Sequence, residues 1–207
     1  SNLLFLKIFI CMQKVPSDFV LKLSKVISNF FNPIVSLLIY YIYYSISNLG
    51  TKEALVYILP LLGMVVVPII YWISSNVKKG KYTNMDVSNQ RQRRSLYYFI
   101  IVVLLVYQLY HYLRFKGIDM LVLFLFILLV VLHFSNYLIK SSMHTSINIF
   151  VAALFYSQNH CLGWAWLGIA LLVGITRIIL KRHTVAEVFS GAAISFLVSI
   201  SYLYCIN

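Results

Sequence analysis

The segment at residues 119–139 reads DMLVLFLFILLVVLHFSNYLI, and it decides the class of fold. An apolar run of about twenty residues is long enough to cross the hydrocarbon core of a bilayer as a single α-helix. Similar runs recur along most of the chain, and they lack the alternation of apolar and polar residues that a membrane β-barrel needs. The sequence therefore predicts an all-α, polytopic membrane protein.

Seven apolar segments are predicted to span the membrane, of which the fifth is short. Pro60 and Pro68 fall within the second segment and predict a kink, which membrane helices tolerate. The expected architecture is a transmembrane helical bundle of about six or seven spans. The predicted spans are residues 31–48, 54–75, 96–114, 119–139, 145–159, 163–181 and 185–205.

The first thirty residues differ from the spans because lysines interrupt them. From Phe19 onward the apolar side chains recur at helical spacing, while Lys22 and Lys25 lie off that face. This pattern is typical of an amphipathic helix that lies on the membrane surface. We therefore divide the chain into an interfacial amphipathic segment at residues 1–30 and a transmembrane bundle at residues 31–207.

The composition limits the partners of the protein. Hydrophobic residues make up 61% of the chain and charged residues only 11%, whereas soluble domains carry about 25% charged residues. The net charge of +12 suits contact with anionic membrane lipids. Because no nucleic-acid recognition motif accompanies this charge, no nucleic-acid partner is expected. Cys11, Cys161 and Cys205 show no paired spacing, so neither a disulfide framework nor a metal site is predicted.

Three polar segments interrupt the apolar pattern, and the predicted threading places all of them on one membrane side, here called side A. They are residues 78–94 (KKGKYTNMDVSNQRQRR), 140–146 (KSSMHTS) and 177–187 (RIILKRHTVAE). Arginine side chains bind phosphate oxygens in a bidentate way. His183 stands four residues before Glu187, a spacing that lets a carboxylate reach the imidazole on a helix. These groups suit phosphoryl transfer through a nucleophilic histidine.

The order of these motifs resembles that of the type 2 phosphatidic acid phosphatase superfamily. The last signature of that family is Ser-Arg, five residues, His, three residues, Asp, and it is similar to Thr176-Arg177, His183 and Glu187. Its middle signature, Pro-Ser-Gly-His, is similar to residues 141–144, which read SSMH.

The first signature of the family, Lys, six residues, Arg-Pro, is matched poorly. Seven places upstream of Arg91, Arg93 and Arg94 the chain has Asn84, Asp86 and Val87 instead of lysine, and no proline follows the arginines. Glu187 also replaces the Asp of the last signature, and Met143 replaces the Gly of the middle one. These departures indicate a divergent branch or an enzyme with weakened activity.

The resemblance implies a membrane lipid phosphatase that works without a metal or other cofactor. His183 would attack phosphorus to form a phosphohistidine, Glu187 would orient His183, and His144 would protonate the leaving oxygen. The residues expected to hold the phosphate are Arg177, Ser142 and some of Arg91, Arg93 and Arg94. The expected substrate is a phosphomonoester or diphosphate of a lipid, in a bacterial inner (plasma) membrane.

Several other interpretations stay open. A phosphotransferase would use the same site with an acceptor other than water, and the altered motifs also allow a catalytically silent scaffold. A transporter is disfavoured because the polar groups gather at one surface and not at the midplane. Ser142 and His144 alone could form a helix cap, and zinc binding by His183 and Glu187 would need further ligands. The basic residues favour side A in the cytoplasm, whereas many bacterial members of the family face the periplasm.

Overall fold

Over residues 16–206, the part that the computed structural model describes, helices joined by loops and turns are the regular secondary structure. The helices are α1 Asp18–Phe30, α2 Pro33–Asn48, α3 Thr51–Lys78, α4 Gln90–Phe115, α5 Met120–Leu138, α6 Met143–Gln158, α7 His160–Ile179 and α8 Val185–Ile206. No strand occurs in this range. The prediction of an all-α helical bundle is confirmed.

Five helices, α3, α4, α5, α7 and α8, are long and apolar enough to cross a membrane. A sixth span is counted if α1 and α2, which are bent by 53° at their junction, act as one broken span. Helix α6 corresponds to the short fifth segment of the sequence. Its side chains from Met143 to Phe155 are all buried, because α6 packs against α2, α5, α7 and α8 at the centre of the bundle.

Polar caps determine where several helices begin. Asn89, Asp119, Ser142 and Asn159 each accept a hydrogen bond from a backbone N–H two or three residues further on, which satisfies donors that a helix start otherwise leaves open. Apart from α1 and α2, which meet at a bend of 53°, the connections bring consecutive helices back alongside one another, as the contacts of Gln90 with Asn136 and of Gln108 with Asp119 show for α4 and α5. The polar segments of side A therefore lie at the same end of the bundle.

Helix α1 presents its apolar face away from the bundle. Phe19 and Val26 are largely exposed, whereas Ser24 and Ser28 are buried on the side that packs against α7. An outward apolar face is what a helix at the bilayer interface needs. Residues 1–15 of the predicted interfacial segment, with Cys11, lie outside the described residues.

The two prolines of the second predicted span flank a change in helix type within α3. The turn at Leu62–Val66 is π-helical, between Pro60 and Pro68. Each proline lacks an N–H and crowds the carbonyl four residues before it. A local π turn is one way in which helices accommodate such residues.

Close contact between α8 and the start of α6 positions the polar segments. A Cβ atom added to Gly191 would lie 2.7 Å from Oγ of Ser146 and 2.9 Å from the carbonyl oxygen of Ser142. Only glycine permits this approach without a shift of the backbone. The hydroxyl of Ser146 donates to the Gly191 carbonyl at 2.9 Å, and that of Ser195 donates to the Ser146 carbonyl at 2.5 Å.

Candidate functional site

The three polar segments of side A meet at the side chain of Arg93, in the first turn of α4. Its Nη1 donates to the carbonyl oxygen of Ser141 at 2.9 Å, and its Nη2 lies 3.1 Å from Nε2 of His183. The side chain has no exposed surface. One buried guanidinium thus joins the segments 78–94, 140–146 and 177–187, which the sequence placed on one side of the membrane.

Glu187 holds the imidazole of His183. Nδ1 of His183 is 2.8 Å from Oε2 of Glu187. The same carboxylate oxygen accepts the backbone N–H of Thr184 at 3.2 Å, and Oγ1 of Thr184 accepts the N–H of Glu187 at 3.2 Å. This reciprocal pair is a capping box at the start of α8. The carboxylate is therefore fixed by the helix start as well as by the imidazole.

The contacts of His183 define its tautomer. A guanidinium can only donate hydrogen bonds, so Nε2 of His183 must accept from Arg93. Nδ1 then carries the proton and donates it to Glu187. Burial, together with the charges of Arg93 and Arg177, lowers the pKa of His183 to about 2. The imidazole is neutral near pH 7, and its Nε2 lone pair is the nucleophilic one.

A carboxylate that the sequence analysis gave no role, that of Asp86, bridges two other site residues. Its Oδ1 is 3.2 Å from Nε2 of His144 and its Oδ2 is 2.6 Å from Nη2 of Arg177. Burial would raise the pKa of Asp86, but His144, Arg177 and Arg182 outweigh it and hold this pKa below its ordinary value. In the sequence, Asp86 could have been noticed by its position seven places before Arg93, where the family signature has lysine.

Two buried polar atoms in the site have no partner within the described part of the chain. These are Nε of Arg177 and Nδ1 of His144. Arg177 is 2% exposed and uses its Nη1 on the hydroxyl of Ser28 at 3.0 Å. Buried polar groups are nearly always hydrogen-bonded. Open positions on a guanidinium and an imidazole at one place are typical of a site that takes a ligand.

Ser142 serves as the cap of α6. Its hydroxyl accepts from the backbone N–H of Thr145 at 3.4 Å and from the Thr145 hydroxyl at 3.0 Å. The N–H of Ser142 donates to the carbonyl oxygen of Glu187 at 3.0 Å, which ties the start of α6 to the first turn of α8. Ser142 is therefore a helix cap, one of the interpretations that the sequence left open. The helix N-terminus beside it adds a positive dipole end that favours anions.

Arg91 and Arg94 do not reach the site, although Arg93 lies between them. Arg91 is exposed, and the guanidinium of Arg94 stacks 4.3 Å from the ring centroid of Tyr137. Neighbouring side chains on a helix point in different directions, so only one of the three arginines faces His183.

Further cations border the site. Nζ of Lys140 is 3.7 Å from Oε2 of Glu187 and donates to the carbonyl oxygen of Arg182 at 2.9 Å. Arg182 in turn donates to the hydroxyl of Ser88 at 3.0 Å.

Over residues 16–206, no group of three or more His, Cys, Asp or Glu side chains is placed to hold a metal ion.

An apolar cavity of about 600 Å³ begins at the site. Asp86 and His144 line its polar end. The remaining wall is largely aliphatic and comes from α2, α3, α4, α5 and α6, with side chains such as Leu37, Ile69 and Ile100. The site therefore joins an anion-binding cluster to a space suited to a hydrocarbon chain.

The arrangement is chemically suited to handling a phosphate group next to an apolar chain. No protein-family model matches the chain, and no curated protein or solved structure is significantly similar to it.

Proposed function

We propose that the protein is an integral membrane lipid phosphatase that belongs to the type 2 phosphatidic acid phosphatase superfamily and works through a phosphohistidine. The observation that carries the proposal is the neutral His183, held by Glu187 on one nitrogen and facing Arg93 with the other. If His183 and Glu187 formed only a structural ion pair, no buried guanidinium would be needed beside Nε2 of His183. The proposed location is a bacterial inner membrane.

In the first step, a lipid phosphate enters beside Arg93 and Arg177, and Arg93 moves its Nη2 from the imidazole to a phosphoryl oxygen. Nε2 of His183 attacks phosphorus, so a P–N bond forms as the P–O bond to the lipid breaks. The leaving oxygen takes a proton from His144, which must bind that proton as the phosphate dianion enters, because burial lowers the pKa of His144 to about 3 before a substrate binds. The guanidinium groups and the α6 N-terminus stabilise the added negative charge on phosphorus.

In the second step, water attacks the phosphohistidine. His144 takes a proton from that water as the new P–O bond forms and the P–N bond breaks. Inorganic phosphate leaves, and the proton on His144 restores the acid for the next cycle. The carboxylate of Glu187 stabilises the His183 ring while the ring carries positive charge.

The apolar cavity favours a lipid over a water-soluble ester. It begins at Asp86 and His144 and is enclosed mainly by aliphatic side chains. Burial of a hydrocarbon chain is favourable by about 25 cal/mol per Å² of apolar surface. A headgroup at side A and a chain in the bundle would place the scissile bond beside His183.

The test is phosphate release by the purified protein in detergent from a panel of lipid monophosphates and diphosphates. We expect release from at least one lipid and its loss in His183→Ala, with His160→Ala as the control because His160 is exposed. Release that survives in His183→Ala would contradict the proposal.

A further inference from the structure

The carboxylate of Asp86 lies where a phosphate would bind. Its two oxygens contact two different donors, Arg177 and His144, at 2.6 and 3.2 Å, as two oxygens of a bound phosphate would. Arg177 uses its remaining Nη on Ser28. In the resting protein, a phosphate that approached Arg177 would thus meet a donor already paired with an anion.

The turn that carries Asp86 is strained. Val87 has φ of +45°, a conformation that β-branched residues rarely adopt, and its side chain is buried. The carbonyl oxygen of Val87 accepts from Nε of Arg93 at 3.0 Å. Strained backbone of this kind persists only where its surroundings hold it, and it is concentrated at ligand clamps and switches.

One of the contacts that hold this turn comes from the residue that would bind the phosphate. Others are the bonds from the Val87 N–H to the Asn84 carbonyl and from Ser88 to the Asn84 side chain. Arg93 contacts both the Val87 carbonyl and the imidazole of His183. When Arg93 turns towards a phosphate, the turn loses a contact that holds it in its strained conformation. Binding of the phosphate and departure of Asp86 are therefore coupled in part through the Arg93 side chain.

The apolar cavity supplies binding energy that a small phosphate lacks. Its wall includes side chains from Leu96 to Leu104 on α4 and from Leu121 to Leu129 on α5. Each of these stretches is roughly 12 Å long, because an α-helix rises about 1.5 Å per residue. A leaflet is about half of a hydrocarbon core of roughly 30 Å. The cavity thus takes most of the length of a chain in one leaflet.

We propose that Asp86 is a specificity-determining residue: its carboxylate fills the phosphate position, and a phosphate displaces it effectively only when a lipid chain enters the apolar cavity. Binding energy from a remote part of the substrate then offsets the loss of the Asp86–Arg177 pair, as in enzymes that use such energy at the reacting centre. Soluble phosphate esters and inorganic phosphate lack that contribution. The inference rests on the proposed phosphatase function.

The experiment compares wild type with Asp86→Asn, which removes the charge and keeps the size. The matched control is Asp18→Asn, because Asp18 is exposed and, within residues 16–206, its ion pair is with Lys22 on its own helix. Two quantities are measured in detergent. One is the ratio of kcat/KM for a long-chain lipid phosphate to that for p-nitrophenyl phosphate, and the other is the Kd of inorganic phosphate.

We expect Asp86→Asn to lower the ratio at least tenfold and to tighten inorganic phosphate binding at least tenfold, with no change in Asp18→Asn. An unchanged ratio, or a parallel loss of activity on both substrates, would overturn the inference. If Asp86→Asn does not fold, Asp86→Ala replaces it. Failure of both variants to fold would also overturn the inference, since the carboxylate would then be a structural requirement.

The phosphate-binding measurement separates this inference from the proposed function. If no substrate is hydrolysed by wild type or variant, the phosphatase proposal fails, yet tighter phosphate binding by Asp86→Asn would still support a carboxylate in the anion position. If wild type hydrolyses lipid phosphates and Asp86→Asn binds phosphate no more tightly, the phosphatase proposal stands and the role given to Asp86 is wrong.

Discussion

Nη2 of Arg93 lies 3.1 Å from Nε2 of His183, although 90 residues separate them in the chain. This contact covers the lone pair that the proposed reaction uses. A phosphate would draw the guanidinium onto its own oxygens and so uncover the nucleophile as it binds. In the proposed reaction, this contact would protect His183 from side reactions until a substrate arrives.

Replacement of Arg93 by lysine should lower kcat/KM about 10²-fold. The charge remains, but lysine lacks the planar fork that reaches both phosphate and neighbouring carbonyl oxygens, and loss of one such electrostatic donor typically costs about 10²- to 10³-fold in rate. Arg91→Lys is the control and should stay within about twofold, because Arg91 is exposed. Equal effects of the two substitutions on phosphate release would show that Arg93 has no special role.

Glu187 completes the capping box of α8, and in the proposed reaction it also stabilises the His183 ring. Two substitutions should separate these roles. Glu187→Gln keeps a side chain that can complete the capping box but removes the charge that stabilises the His183 ring. We expect a loss of activity of at least about 10²-fold with little change in stability, by comparison with triad carboxylates. Glu187→Ala should lose activity similarly and also destabilise the fold by about 1 kcal/mol. Activity assays and thermal unfolding measure the two effects, and an active Glu187→Gln would contradict the assignment.

The low pKa of His183 predicts a dependence of stability on pH. The unfolded histidine titrates near about 6.5, whereas in the folded protein its pKa is about 2. The stability contributed by neutral His183 is thus fully present above pH ~6.5 and is lost as pH falls towards 2, because the unfolded chain binds a proton that the folded chain does not. The slope from this group is at most about 1.4 kcal/mol per pH unit.

This dependence is tested by thermal unfolding in detergent between about pH 4.5 and 7.5, a range that includes the pKa of histidine in an unfolded chain. His183→Asn should flatten the fall in stability at the acid end, whereas His160→Asn, at an exposed position, should not. Identical pH profiles for wild type and His183→Asn would show that His183 is not a buried neutral group.

Gly191 should be sensitive to substitution by alanine. The added Cβ would lie 2.9 Å from the Ser142 carbonyl oxygen and 3.0 Å from the Ser142 nitrogen, and these are backbone atoms that cannot rotate away. We expect a loss of about 1–3 kcal/mol of stability, the usual cost of overpacking, together with reduced activity because α6 and α8 move apart. Gly168→Ala is the control, since a Cβ there meets open space. Comparable unfolding temperatures for the two variants would contradict this packing.

The sequence was most informative where the physical signal is local. Apolar run length predicted the five long helices, although two of the seven predicted spans, residues 31–48 and 145–159, do not pass as spans on their own. The four-residue spacing of His183 and Glu187 predicted their contact, which is made just before α8 through the cap of that helix. The threading of the spans also brought the three polar segments to one side. These features need no knowledge of how helices pack laterally.

The remaining features depend on contacts between distant parts of the chain. The sequence could not choose among Arg91, Arg93 and Arg94, since the choice depends on which face of α4 meets α6 and α8. The role of Asp86 was missed because its partners, Arg177 and His144, are distant in the chain. The local turn bonds of Asn84 do not show where the carboxylate points. The short fifth segment was hard to assign because α6 is buried on all sides by other helices.

The central claim, that His183 receives the phosphoryl group at the meeting point of the three segments, is tested most directly by trapping the intermediate. The protein is quenched in alkali during turnover of a lipid phosphate, and the phosphorylated residue is located by mass spectrometry. We expect phosphate on His183 of the wild type and no phosphorylated residue in His183→Ala. Phosphate on another residue, or phosphoprotein that still accumulates in His183→Ala, would contradict it.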